Sequence, residues 1–115
     1  MAYDEELAER VRDLVDELLA AAPEAVEKRM FGGLAFLVGG HMAVAASREG
    51  GLLVRVDPAE GDELLASTDA RPMVMRGRDL RGWLRVRGEA VREQPALRAW
   101  VERGVGYARS LPPKS

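Results

Sequence analysis

Leu34-Ala35-Phe36-Leu37-Val38-Gly39-Gly40-His41-Met42-Ala43-Val44-Ala45-Ala46-Ser47-Arg48-Glu49-Gly50-Gly51-Leu52-Leu53-Val54-Arg55-Val56 is the stretch that decides the fold. Three apolar runs are separated by two glycine pairs. Each run is too short for a helix and has the length of a strand. Gly39-Gly40 is a two-residue hairpin signal, and Arg48 to Gly51 reads as a second tight turn. Tight turns join antiparallel neighbours, so 34–38, 41–47 and 52–56 form an antiparallel meander. In the last run Leu52, Val54 and Val56 share one face, and Leu53 and Arg55 share the other.

Before this meander stands a helix, expected over residues 4–22. Leu7, Val11, Leu14, Val15, Leu18, Leu19 and Ala22 recur at three- and four-residue steps, while Glu6, Glu9, Arg10, Arg12, Asp13, Asp16 and Glu17 fill the other side. Asp4 suits an N-cap, and Pro23 marks the end. After the meander, Asp57-Pro58 opens a short helix ending near Ser67. Met73-Val74-Met75 is a short fourth strand, residues 76–82 a polar turn or loop, and Trp83 to Arg87 a fifth strand. Pro95 opens a last helix with the stripe Leu97, Trp100, Val101, Val105 and Ala108, stopped by Pro112-Pro113. The order helix, three strands, helix, two strands, helix favours an α+β two-layer sandwich, with a five-stranded antiparallel sheet, the helices on one face and the other face open in the monomer. The expected core runs through Leu7, Leu14, Phe36, Val54, Leu84, Leu97 and Trp100.

The 115 residues make a single domain, 1–115. With 47% hydrophobic and 31% charged residues the chain has the composition of a folded globular protein. No apolar run reaches the roughly 20 residues a membrane helix needs, and the acidic Asp4-Glu5-Glu6 is unlike a secretory signal, so the expected location is the cytoplasm. The chain has no cysteine and one histidine, which excludes disulfides, thiolate chemistry and multi-histidine metal sites.

The net charge of −2 hides an asymmetry. Residues 71–115 carry eleven basic against four acidic side chains, a net of +7, whereas residues 1–30 carry −5 and residues 31–70 carry −4. Arg76, Arg78, Arg81, Trp83, Arg85 and Arg87 are the candidate partner- or anion-binding surface. Guanidinium forks suit carboxylates and phosphates, and an indole can stack on a base or a guanidinium. If Leu84 and Val86 face the core, Trp83, Arg85 and Arg87 share the opposite face with Arg55. The blander alternative has these arginines solvated, or paired with the acidic first helix, and Trp83 filling a hydrophobic gap.

Other candidates carry little chemistry. The pairs Gly32-Gly33, Gly39-Gly40 and Gly50-Gly51 lack the Lys-Ser/Thr and the strand-to-helix setting of a phosphate loop. His41 reads as an exposed turn histidine. Ser47 shares its strand face but lies about 20 Å away, too far for a catalytic pair. Asp13, Asp16 and Glu17 are the solvated side of a helix. No catalytic residue, cofactor or metal site is expected.

Three pieces in order carry a resemblance. Arg29-Met30-Phe31-Gly32-Gly33 resembles the Met-Phe-Gly-Gly signature of the TfoX N-terminal domain (TfoX/Sxy family). Gly82-Trp83-Leu84-Arg85-Val86 resembles that domain's last strand. Leu97-x-x-Trp100 with Tyr107 to Lys114 resembles its terminal helix and tail. The resemblance spans nearly the whole chain and implies the domain standing alone, with a secretion-chaperone-like arrangement. The residues assign Met30, Phe31, Gly32 and Gly33 a structural role at the entrance to the sheet. The family's best-known members are regulators of competence genes. The expectation is therefore a non-catalytic protein-interaction or regulatory module, not an enzyme, acting as monomer or homodimer. The alternative is a nucleic-acid-binding accessory using the basic C-terminal third, and no membrane partner is expected.

Overall fold

The three apolar runs pair as antiparallel strands, β2 (Gly33–Val38), β3 (His41–Ala46) and β4 (Leu52–Arg55). This is a computed structural model, describing residues 3–19, 25–30 and 32–112. Around the meander lie α1 (Glu5–Leu18), β1 (Ala25–Met30), α2 (Pro58–Ser67), β5 (Arg71–Met75), β6 (Arg78–Val86), a short 3-10 turn at Gly88–Val91 and α3 (Gln94–Ser110). Among the described residues the sheet has six strands in the order β1-β2-β3-β4-β6-β5, all antiparallel. No helix there is long and apolar enough to cross a membrane.

The helix ends follow from their caps. The Asp4 carboxylate accepts the Leu7 N–H at 3.1 Å, and Asp57 accepts that of Ala59 at 2.9 Å. α1 is shorter than the periodicity suggests: Leu19 N–H donates to Val15 carbonyl and closes it. Residues 20–24, where the helix was expected to end, lie outside the described residues, as do Phe31, Pro113 and Lys114.

One core lies between the helices and the sheet. Leu7, Val11 and Leu14 of α1, Leu64 of α2, and Leu97, Trp100, Val101 and Val105 of α3 pack on Phe36, Val44, Leu52, Val54, Leu84 and Val86. Leu18 packs only partly buried at its margin. α3 lies closest to β3. A β-bulge inserts Ala43 between the pairs Phe36–Val44 and Leu37–Met42. A Cβ built on Gly104 of α3 would sit 2.3 Å from the Ala43 carbonyl oxygen.

Three expectations need correction. The sheet has six strands, not five, because β1 precedes the meander. All six of its residues are exposed or half-exposed. An edge strand with no buried face leaves no apolar alternation to read. Residues 78–82, read as loop, are the first half of β6, and only Arg76-Gly77 turns. The face away from the helices is not open. Ala35, Met42, Ala45, Leu53 and Met73 are buried there, with Met30, Leu37, Leu80 and Trp83 around them, a cluster of strand residues among those described. Two irregularities bend the strands, the bulge at Ala43 and a break in the β5–β6 register, where Pro72 pairs with Leu84 but Met73 with Leu80.

Candidate interaction surface

The register break leaves Arg81-Gly82-Trp83 without partners in β5 and sets off the outer hairpin, residues 73–80. Gly82 adopts φ +83°, and its carbonyl accepts the Val56 N–H at 2.7 Å. Met73 and Leu80 turn into the second apolar cluster. At the tip, Arg76 (φ 54°) and Gly77 (φ 77°) both have positive φ, the geometry of a type I′ turn. Arg76 is the one non-glycine residue with positive φ among those described.

Asn and Asp are favoured at that first turn position, and an L-residue with a long side chain is strained there. Arg76→Asn should therefore raise stability by up to about 1 kcal/mol. The check is the urea midpoint; an unchanged or lower midpoint would mean that Arg76 carries no strain.

The structure disperses the six expected surface residues. Arg81 pairs with Asp62 of α2 at 2.8 Å. Arg85 lies 3.3 Å from Ser47 Oγ and 3.5 Å from Glu49. Arg87, beyond the end of β6, lies 3.4 Å from Asp69. The partners thus come from α2, from the 47–51 turn and from the segment after α2. Of the basic third, Arg98 alone pairs with the acidic helix among the described residues, bonding Glu17 as well as Glu102. Exposed pairs of this kind are weak and screened by salt. Trp83 is engaged too: the Arg55 guanidinium lies 5.1 Å from its ring centre and 5.6 Å from that of Tyr107. Arg76 and Arg78 are exposed and have no ion pair among the described residues.

Three residues outside the expected set complete this end of the sheet. Arg71, exposed and also without an ion pair, opens β5. Val74 and Met75 on the same strand are 55% and 38% exposed. Their signal in the sequence is the short apolar run Met73-Val74-Met75, framed by Arg71 and Arg76. The opposite edge, β1, exposes Val26 at 60% as well, but sets it beside the charged Glu27, Lys28 and Arg29. Arg12 of α1 donates from Nη2 to Glu27 at 2.9 Å, and this bond holds the Glu27 carboxyl below its ordinary range.

A groove of about 540 Å³ runs past the other end of β6. Arg71, Arg85 and Arg87 line it together with Asp4, Glu49 and Glu89, three cations and three carboxylates. Among the described residues no three His, Asp or Glu side chains gather as metal ligands would.

Of the Met-Phe-Gly-Gly positions, Met30, Gly32 and Gly33 are described. Met30 packs half-buried against the second cluster. Gly32 has φ +75°, which disfavours any side chain. Gly33 has no positive φ; its constraint is space, since a Cβ would sit 2.1 Å from the Ala46 carbonyl oxygen. His41 is not an exposed turn residue. It is half-buried at the start of β3, and its Nε2 lies 2.7 Å from the Pro112 carbonyl oxygen. A carbonyl only accepts, so the proton sits on Nε2, and the buried Nδ1 has no partner among the described residues.

These features describe a helix-backed antiparallel α+β domain with one cationic, partly apolar sheet end. A model of the TfoX N-terminal domain matches residues 17–108, and the chain belongs to that family. No curated protein and no solved structure matches it.

Proposed function

We propose that this domain works by binding another protein, as an interaction or regulatory module of the TfoX/Sxy type acting in the cytoplasm, rather than as an enzyme. The observation that carries the reading is the β5 edge. It presents Val74 and Met75 to solvent beside three arginines without ion pairs, Arg71, Arg76 and Arg78. Exposed apolar side chains on an unpaired strand edge are a liability that a chain usually removes. The secretion-chaperone likeness implied by the family resemblance belongs to this same reading.

The free arginines and the net +7 of residues 71–115 favour a second reading, a nucleic-acid-binding accessory. The test is affinity capture from native extract, with and without nuclease, comparing the native chain with Val74→Asp/Met75→Ser. The native chain should retain partner proteins after nuclease treatment, and the variant should lose them. Complete release by nuclease would replace this reading with the second one. Identical capture by the variant would remove the β5 edge from the function.

A further inference from the structure

We propose that the outer edge of β5 accepts an extended acidic segment of a partner protein as a seventh strand of the sheet. The inference rests on the reading of the domain as an interaction module and names the chemistry of what it binds.

The hairpin geometry identifies the available backbone. Met75 and Arg78 flank the two-residue turn and form its closing hydrogen-bonded pair. The next pair, Val74–Asp79, is then a non-hydrogen-bonded one, so Val74 turns its N–H and carbonyl away from β6. β5 ends the sheet on that side. Pro72, two residues earlier, offers only a carbonyl, so strand addition centres on Val74.

Charge decides the occupant. The register places Arg71 opposite Arg85 and Met75 opposite Arg78, all on the face away from the helices, while Val74 lies on the other face. Arg76 stands at the tip. An added strand alternates its side chains in the same way. Carboxylates at alternate positions would meet Arg71 at one end and Arg76 and Arg78 at the other. Apolar residues between them would lie beside Val74. Asp79, opposite Val74, is the acidic side chain of the hairpin itself and lies on Val74's face, away from Arg71 and Arg78.

A second copy of this chain fits poorly. Antiparallel pairing of two β5 edges brings Arg71 of one copy toward Arg76 and Arg78 of the other, at both ends. β1 carries Glu27, Lys28 and Arg29, with Glu27 already held by Arg12, so it supplies no acidic complement. The strain at Arg76 points the same way, because a cation is kept where Asn or Asp would sit more easily.

The probe is a synthetic acetylated heptapeptide of alternating glutamate and valine, glutamate at both ends, titrated at low ionic strength. Amide NMR shifts and hydrogen exchange are read together. Binding should slow exchange of the Val74 amide. It should weaken about tenfold or more in Arg76→Asp/Arg78→Glu, with lysine replacing glutamate in the peptide, and on adding salt. Asp-Gly is a favoured pair for this turn, so that variant keeps the hairpin. Val74→Pro removes the outward N–H and should also weaken binding. No binding, or binding indifferent to both protein variants, overturns the proposal. So does equal affinity for a nucleic acid oligomer that the same variants abolish, or self-association of the chain that Val74→Pro abolishes. If proteins are captured from extract and the peptide does not compete with them, this inference falls while the interaction reading stands. If no protein is captured, that reading falls as well.

Discussion

Gly104→Ala should lower the stability of the domain by about 3 kcal/mol, although alanine is the better helix former. Gly104 is buried in the interior of α3. The new Cβ would lie 2.3 Å from the Ala43 carbonyl oxygen and 3.3 Å from Val54 Cγ1. The oxygen belongs to the bulged backbone of β3, in the middle of the sheet, and has no rotamer to escape into. The helix would have to lift off the strand, opening gaps along Leu97, Val101 and Val105. Gly106 is the control. It lies two residues further along the same helix, and a Cβ there meets nothing within 4 Å. Gly106→Ala should raise stability by about 0.5–1 kcal/mol. Urea midpoints moving in opposite directions are the expected result. Equal shifts would mean that α3 does not approach β3 this closely.

Phe36→Ala should cost roughly 3–5 kcal/mol. Phe36 is 1% exposed and is among the largest fully buried side chains. It stands on β2, opposite Val44 and next to the bulge, where strand geometry is already irregular. The helices above are held by their own contacts with other strands, so the site cannot collapse to fill the cavity. A domain of ordinary stability has about 5–15 kcal/mol in all, so much of it would be lost. Equilibrium urea unfolding gives the value, with an unchanged slope as evidence that both end states are preserved. A loss below about 1 kcal/mol would take Phe36 out of the core.

The meander and the main core were legible because periodicity and burial agree there. Leu7, Val11 and Leu14 repeat at helical spacing, and Leu52, Val54, Leu84 and Val86 alternate, as an interface between helices and sheet demands. β1 was not legible, since Val26, Glu27, Lys28 and Arg29 are all exposed and show no preferred face. Residues 78–82 misled for a different reason. Asp79 and Gly82 are of turn-prone types, yet Arg78, Asp79 and Leu80 pair with Met75, Val74 and Met73, and β6 runs on through Gly82. The second apolar cluster left a trace: 34–38 and 42–46 are continuous apolar runs, the pattern of strands buried on both faces. Of the candidate surface, the positions of Arg85 and Trp83 followed from alternation with Leu84 and Val86. Their partners did not, because Glu49, Asp62 and Asp69 meet the arginines only through tertiary structure. Met73-Val74-Met75 read as a short strand, and only the strand order shows that it is the outermost one.

That strand order also apportions the entropy of assembly. Neighbours in the sheet are neighbours along the chain at every joint except one, where β4 meets β6. The other four joints link consecutive strands through short connections, so bringing each pair together restrains little chain. Joining Arg55 to Trp83 instead closes a long segment that includes all of α2 and β5. The ordering cost of the sheet is thus concentrated at a single seam. Leu52, Leu53, Val54, Leu84 and Val86, all buried, line that seam. Apolar burial thus backs the joint where the chain surrenders most freedom, and the helix enclosed by the closure is held by the same joint.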